Sequence, residues 1–314
     1  MIELYKIRTF SEKISDTIDF IRQNWRALLK YLGCVILPAS IVLAFFFNHF
    51  WNGYMSFVSD VERGTSGDFS DGISFMLNYV AMVVIYMVTF VFLNAMFYAM
   101  VRVYYHRENG LQGVVYDELR SPFKLCLKRM ATLIGLGFLL GIVVIVALVV
   151  VGALFGTINA ALVVLYVLLC GAALFAVAFP LMLMAPIYML EDNISFFDAL
   201  AKAMRLGFKT WGGIFGMAIV LGLLISVLQM VTSGPWYVLF IMKTIFTLSN
   251  DLDGSFTNSF IFTLITYLAS ILQCMGMLIS TIFTEVGMNI QYGHAAELVD
   301  GMGTQEKIEH FEDL

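Results

Sequence analysis

Charge is what this sequence has least of. Asp, Glu, Lys and Arg make up only 13% of its 314 residues, against roughly a quarter in an ordinary soluble domain. Hydrophobic residues make up 60% and the mean hydropathy is +0.87, more apolar side chain than one globule of this size can hide. A soluble domain is thereby excluded, and hydrocarbon is the expected solvent for much of the surface. Short segments of alternating polarity are also missing, which excludes a membrane β-barrel.

Other scarcities remove whole classes of chemistry. The four cysteines, Cys34, Cys126, Cys170 and Cys274, are scattered without the close pairs of a zinc site. The four histidines, His49, His106, His294 and His310, share no spacing that would bring two onto one metal. No glycine loop follows a strand, and no Gly-x-Ser-x-Gly elbow occurs. No metal, no cofactor and no catalytic residue is therefore assigned, and a non-enzymatic protein is expected. A cleavable leader is also not expected, because the first 27 residues are charged and polar. The first apolar run would then serve as an uncleaved anchor.

What is abundant is long apolar sequence. Crossing about 30 Å of hydrocarbon takes about 20 apolar residues. Six such runs stand out, approximately Leu28–Phe47, Ile73–Val101, Ala131–Phe155, Ala161–Leu190, Gly212–Thr232 and Ser259–Thr284. None has an Asp, Glu, Lys or Arg in its interior, which argues against a proton-coupled pump. The expected fold is an all-α integral membrane protein of six transmembrane helices arranged as three hairpins.

The sparse charge is unevenly placed. Of the 18 Lys and Arg, six lie in residues 1–30, six between the second and third runs, and three just before the fifth. The opposite loops carry Arg63 and Lys243 against Asp60, Glu62, Asp68, Asp71, Asp251 and Asp253. Basic residues concentrate on the cytoplasmic side, so both termini are predicted to be cytoplasmic.

One pattern recurs three times: an amphipathic stretch, a span, an outer loop and a returning span. Phe10, Ile14, Ile18, Ile21, Trp25, Leu28 and Leu32 follow steps of three and four, as do Phe197, Leu200, Met204, Phe208, Trp211 and Phe215. Leu119, Phe123, Cys126, Met130 and Leu133 repeat the spacing more weakly. Each stripe fits one face of a helix. Thr9 with Glu12, and Ser195 with Asp198, have capping-box spacing. Ser121 before Pro122 reads as a cap with proline at the first helical position. Each hairpin is thus expected to be preceded by a cytoplasmic amphipathic interfacial helix. Residues 1–292 form a single membrane domain of three pseudo-repeats, about 10–112, 113–192 and 193–292, with an acidic, mobile tail over 293–314. The apolar stretch Tyr237–Leu248, 12 residues long, is too short to span and is expected to lie at the outer surface.

Three groups of residues offer functional readings. The basic residues of the amphipathic stretches, Arg22, Arg26, Lys30, Lys124, Lys128, Arg129, Lys202, Arg205 and Lys209, suit anionic lipid or a protein partner, or simply anchor topology. The neutral polar residues Asn78, Asn94, Gln229 and Gln273 suit interhelical hydrogen bonds, or a path for a solute. Pro38, Pro180 and Pro186 are candidate helix kinks. Gly137–Gly141, Gly152–Gly156 and Gly212–Gly216 have the four-residue spacing that lets helices approach, within the chain or between copies.

The segment from Phe179, FPLMLMAPIYMLEDNISFFDALAKAMRLGFKTWGGIFG, and the opening FSEKISDTIDFIRQNWRALLKYLG carry a family likeness. Together they resemble the six-span membrane domain attached to some glycerophosphodiester phosphodiesterases, and its stand-alone bacterial relatives of unknown function. The resemblance implies a bacterial cytoplasmic (inner) membrane and the same six-span layout. The phosphodiesterase chemistry of such proteins belongs to a separate soluble domain with a metal-binding His and Glu set, which has no match here, so no catalytic residue carries over.

Two functions follow as expectations. The first is a non-enzymatic multi-pass scaffold or accessory module that binds lipid or a protein partner through its basic amphipathic helices. The second is a transporter or channel for a neutral or amphiphilic solute. Membrane lipids, and a protein partner or a second copy of the chain, are the expected partners; nucleic acid is not.

Overall fold

The computed structural model describes residues 2–62, 69–156, 159–248, 256–257 and 259–304. In chain order they form α1 (Phe10–Glu62), α2 (Phe69–His106), α3 (Tyr116–Gly156), α4 (Ala160–Leu181), α5 (Met184–Leu190), α6 (Phe196–Lys209), α7 (Trp211–Leu248) and α8 (Phe260–Asp300). Among the described residues, six stretches are long and apolar enough to cross a membrane: most of α1, α2, α3, α4 with α5, α7 and α8. The windows of α3 and α4 bury none of their residues; such all-round apolar surface belongs in hydrocarbon. These helices support a multi-pass membrane protein.

Local chemistry sets several boundaries. At α1 the Thr9 N–H donates to Glu12 Oε2 at 2.7 Å, and the Glu12 N–H to Thr9 Oγ1 at 3.4 Å, closing the capping box. Ser195 Oγ accepts from the Asp198 N–H at 3.2 Å and caps α6. Asn159 accepts from Ala161 N–H at 2.8 Å and starts α4.

Other boundaries differ from the sequence reading. In the first two repeats the amphipathic stretch is continuous with the span, as the 53 residues of α1 and the 41 of α3 show. Pro122 lies inside α3, not at its start. Asp117 and Glu118 occupy the first turn, and buried Leu119, Cys126 and Met130 carry the packed face across the proline. Only the third repeat has a separate helix, α6, which buries Phe196, Ala199, Ala203, Leu206 and Gly207. The expected outer-surface helix is also absent as a separate element: α7 runs unbroken through Pro235 to Leu248. Trp236 is buried beside it, stacked on Phe240 with centroids 5.0 Å apart.

α8 continues past Gly293 to Asp300, burying Ala295 and Ala296, so the expected tail boundary falls within a helix. Residues 305–314, including His310, lie outside the described residues. So do the side chains of Asp60, Glu62, Arg63, Asp68, Asp71, Asp251 and Asp253.

The chain divides into two compact units. The first comprises Met1–Ala27, Asn94–Leu221 and Thr284–Leu314; the second comprises Leu28–Leu93 and Gly222–Phe283. The middle expected repeat falls wholly in the first unit, while the other two are each divided. In the first unit α3 packs on α4 and α5, and α4 and α5 pack on α6. Gly207 of α6 meets Pro180 so closely that a Cβ there would lie 2.4 Å from the proline Cα. The second unit is centred on an aromatic group. Trp236 lies 4.9 Å from Phe47 and 5.4 Å from Trp51, between ring centroids.

Candidate functional site

The polar interior of the first unit begins with the N-terminal segment, which lies along α8. A Cβ on Gly293 would sit 2.0 Å from the Leu4 carbonyl oxygen, so only glycine fits there. The Ile2 N–H donates to Tyr104 Oη at 2.7 Å, and the Arg8 N–H to His294 Nδ1 at 3.0 Å. The buried Arg8 side chain donates to Asp16 at 2.6 Å and to the carbonyls of Glu3, Leu4 and Lys6. A guanidinium removed from water needs this many acceptors to be tolerated.

A second group caps α5. The last carbonyls of a helix lack intrahelical partners, and cations suit that end. Arg129 Nη1 donates to Tyr188 O at 2.8 Å and to Glu191 O at 2.6 Å. Arg102 Nε donates to Met189 O at 2.7 Å, and its Nη2 pairs with Asp192 at 2.9 Å. Glu191 in turn accepts from Tyr292 Oη at 2.6 Å and pairs with Lys202 at 2.7 Å. Arg205 grips Asp300 through two bonds of 2.8 Å.

These contacts divide the nine basic candidates. Arg129, Lys202 and Arg205 have internal partners, whereas Arg22, Arg26, Lys30, Lys124, Lys128 and Lys209 are exposed. Arg22, Arg26 and Lys30 recur every four residues and so line one strip of α1. Ile18, Trp25 and Leu29, exposed at 48%, 52% and 66%, line the adjoining strip. Arg26 also lies over the Trp25 ring, 5.5 Å from its centroid.

The four neutral polar candidates do not form one set. Asn94 is fully buried in the first unit. Asn78, Gln229 and Gln273 belong to the second. Asn78 turns back to its own helix at Ser74 O, 2.9 Å, and Gln229 donates to Ser280 Oγ at 2.9 Å. Gln273 Oε1 is buried without a hydrogen-bond partner.

The prolines also differ from one another. α1 continues through Pro38. Between Pro180 and Pro186 the helix is interrupted, and the N–H groups of Met182 and Leu183 turn back three residues to Phe179 and Pro180. Pro186 has no N–H to offer the Met182 carbonyl, which is why the α-helical ladder fails there.

The sequence reading missed two sets of residues. Glu285 sits one residue past the expected end of the sixth span and, inside α8, accepts the hydroxyl proton of Tyr98. A span drawn to a composition boundary could not include it. Lys13 and Gln291 carry no signal in the sequence, yet they are 4% and 0% exposed. Both face Gly213 in the first turns of α7. Among the described residues no group of three or more His, Cys, Asp and Glu could hold a metal ion.

Comparison with protein-family models, with curated proteins and with solved structures finds no match. The candidate site therefore stands on its own geometry.

Proposed function

We propose that this chain is a non-enzymatic multi-pass membrane protein, a scaffold or accessory module that gathers anionic lipid along its basic helical faces. The observation that carries the reading is the α1 strip, where exposed Arg22, Arg26 and Lys30 run beside exposed Ile18, Trp25 and Leu29. Adjoining cationic and apolar strips are what the membrane interface demands of a helix. Anionic headgroups supply about 1 kcal/mol per basic residue. Lys124, Lys128 and Lys209 extend the same character to α3 and α6. The loop charge bias supports a cytoplasmic location for these residues and for both termini, and the resemblance noted above supports a bacterial inner membrane.

The test is native mass spectrometry of the full chain taken from nanodiscs of mixed phosphatidylglycerol and phosphatidylcholine. Retained phosphatidylglycerol should fall at least tenfold in the triple variant Arg22→Gln, Arg26→Gln, Lys30→Gln. Unchanged retention overturns the reading. A stoichiometric protein lost from the variant would move the same surface to a protein partner. A solute path through Asn78, Asn94, Gln229 and Gln273 draws less support, because Gln229 and Asn78 are engaged in hydrogen bonds.

A further inference from the structure

Lys13 is a buried cation left over by the networks around it. Its side chain has no ion pair and no hydrogen bond among the described residues. The acids nearest in sequence are committed elsewhere, Asp16 to Arg8 at 2.6 Å and Glu12 to the Thr9 N–H at 2.7 Å. Gln291, fully buried on α8, presents both Oε1 and Nε2 without a hydrogen-bond partner.

The two side chains converge. A Cβ placed on Gly213 would lie 3.2 Å from Gln291 Nε2, 3.6 Å from its Oε1 and 3.5 Å from Lys13 Nζ. Gly213 belongs to the first turn of α7, at the positive end of the helix dipole; its own N–H donates to Thr210 O at 3.0 Å. An ammonium and an unpartnered amide thus converge beside the N-terminal turn of α7, with no Gly213 side chain between them. A buried charge with no counter-charge is costly, and a bound anion would supply the counter-charge at a helix end suited to hold it.

We infer that Lys13, Gln291 and the Gly212-Gly213 turn of α7 form a binding site for a phosphate group, either inorganic phosphate or the headgroup of a phosphomonoester lipid. This site is separate from the exposed strip of α1, so either can fail without the other.

The test uses full-length protein in detergent, with its thermal unfolding followed against inorganic phosphate, and against gluconate at equal ionic strength as the control. Phosphate should raise the midpoint by several degrees. In Lys13→Met the apparent phosphate Kd should weaken at least tenfold, while the triple Gln variant of Arg22, Arg26 and Lys30 keeps the parent value. Gly213→Ala retains both polar groups but fills the space between them, and should weaken phosphate to the same degree. It decides the matter if Lys13→Met does not fold. Protection by phosphatidic acid in mixed micelles but not by phosphate, lost in either variant, assigns the site to a lipid headgroup. Equal response of parent, Lys13→Met and Gly213→Ala to both probes overturns the site, as does no response of the parent to either; where Lys13→Met does not fold, equal response of parent and Gly213→Ala does so.

Discussion

At the scale of single residues, glycine separates pattern from contact. The paired glycines Gly137 and Gly141 have nothing within 4 Å of a Cβ built on them. Gly207, Gly276, Gly287 and Gly293, none in such a pair, are pressed hard, by Pro180, Thr232, Leu221 and the Leu4 carbonyl. Gly207→Ala is expected to lower the unfolding free energy in detergent by about 1–3 kcal/mol, as overpacking does. Gly137→Ala should instead leave it unchanged or raise it by about 0.5–1 kcal/mol through better helix propensity. Thermal unfolding of the two variants side by side checks the opposite signs. Tyr98→Phe removes the hydroxyl that Glu285 accepts from, and loss of a bond to a part-buried carboxylate should cost about 1–3 kcal/mol. If Tyr98→Phe melts with the parent, that pair contributes nothing to stability.

At the scale of elements, α5 is the piece most dependent on others. Its seven residues follow a helix interruption between two prolines, too short to persist alone. Its terminal carbonyls are held by Arg102 from α2 and Arg129 from α3. Arg129→Met keeps the length of the stem but removes two charge-assisted bonds, and should cost about 2–4 kcal/mol. Arg129→Lys should recover only part of that, since one ammonium replaces a planar fork. Limited proteolysis across 182–195 provides the readout: faster cleavage in Arg129→Met than in Arg129→Lys is expected, and equal rates for parent and both variants would refute the cap. The element boundaries that the sequence reading found are those made by neighbouring residues, such as the Thr9–Glu12 box. Those it misplaced, at Pro122 and Pro235, lie where the helix runs on through its proline.

At the scale of the whole molecule, the six apolar stretches were legible because hydrophobic length is a one-dimensional property. Membrane sidedness rests on the same kind of signal. Green fluorescent protein fused after Leu314 should fluoresce in intact bacteria, and a periplasmic alkaline phosphatase fused at the same place should be inactive; the reverse pattern would invert the topology. The division into two compact units was not legible, since it joins Met1–Ala27 with Asn94–Leu221 and Thr284–Leu314. Nor was the fate of the basic residues. Arg129, Lys202 and Arg205 look no different in sequence from Arg22, Arg26 and Lys30, yet the first three are tied to carbonyls and carboxylates tens of residues away.

The amino-acid order alone determined the membrane class, the number of apolar helices and the two capping boxes at Thr9 and Ser195, because each depends on residues within one or two turns of each other or on summed hydropathy. Tertiary structure decided which charges are spent inside, which glycines carry packing, and that Lys13 and Gln291 meet at Gly213. Those outcomes depend on contacts between α1, α7 and α8, far apart in the chain, where neither spacing nor composition carries any record of the pairing.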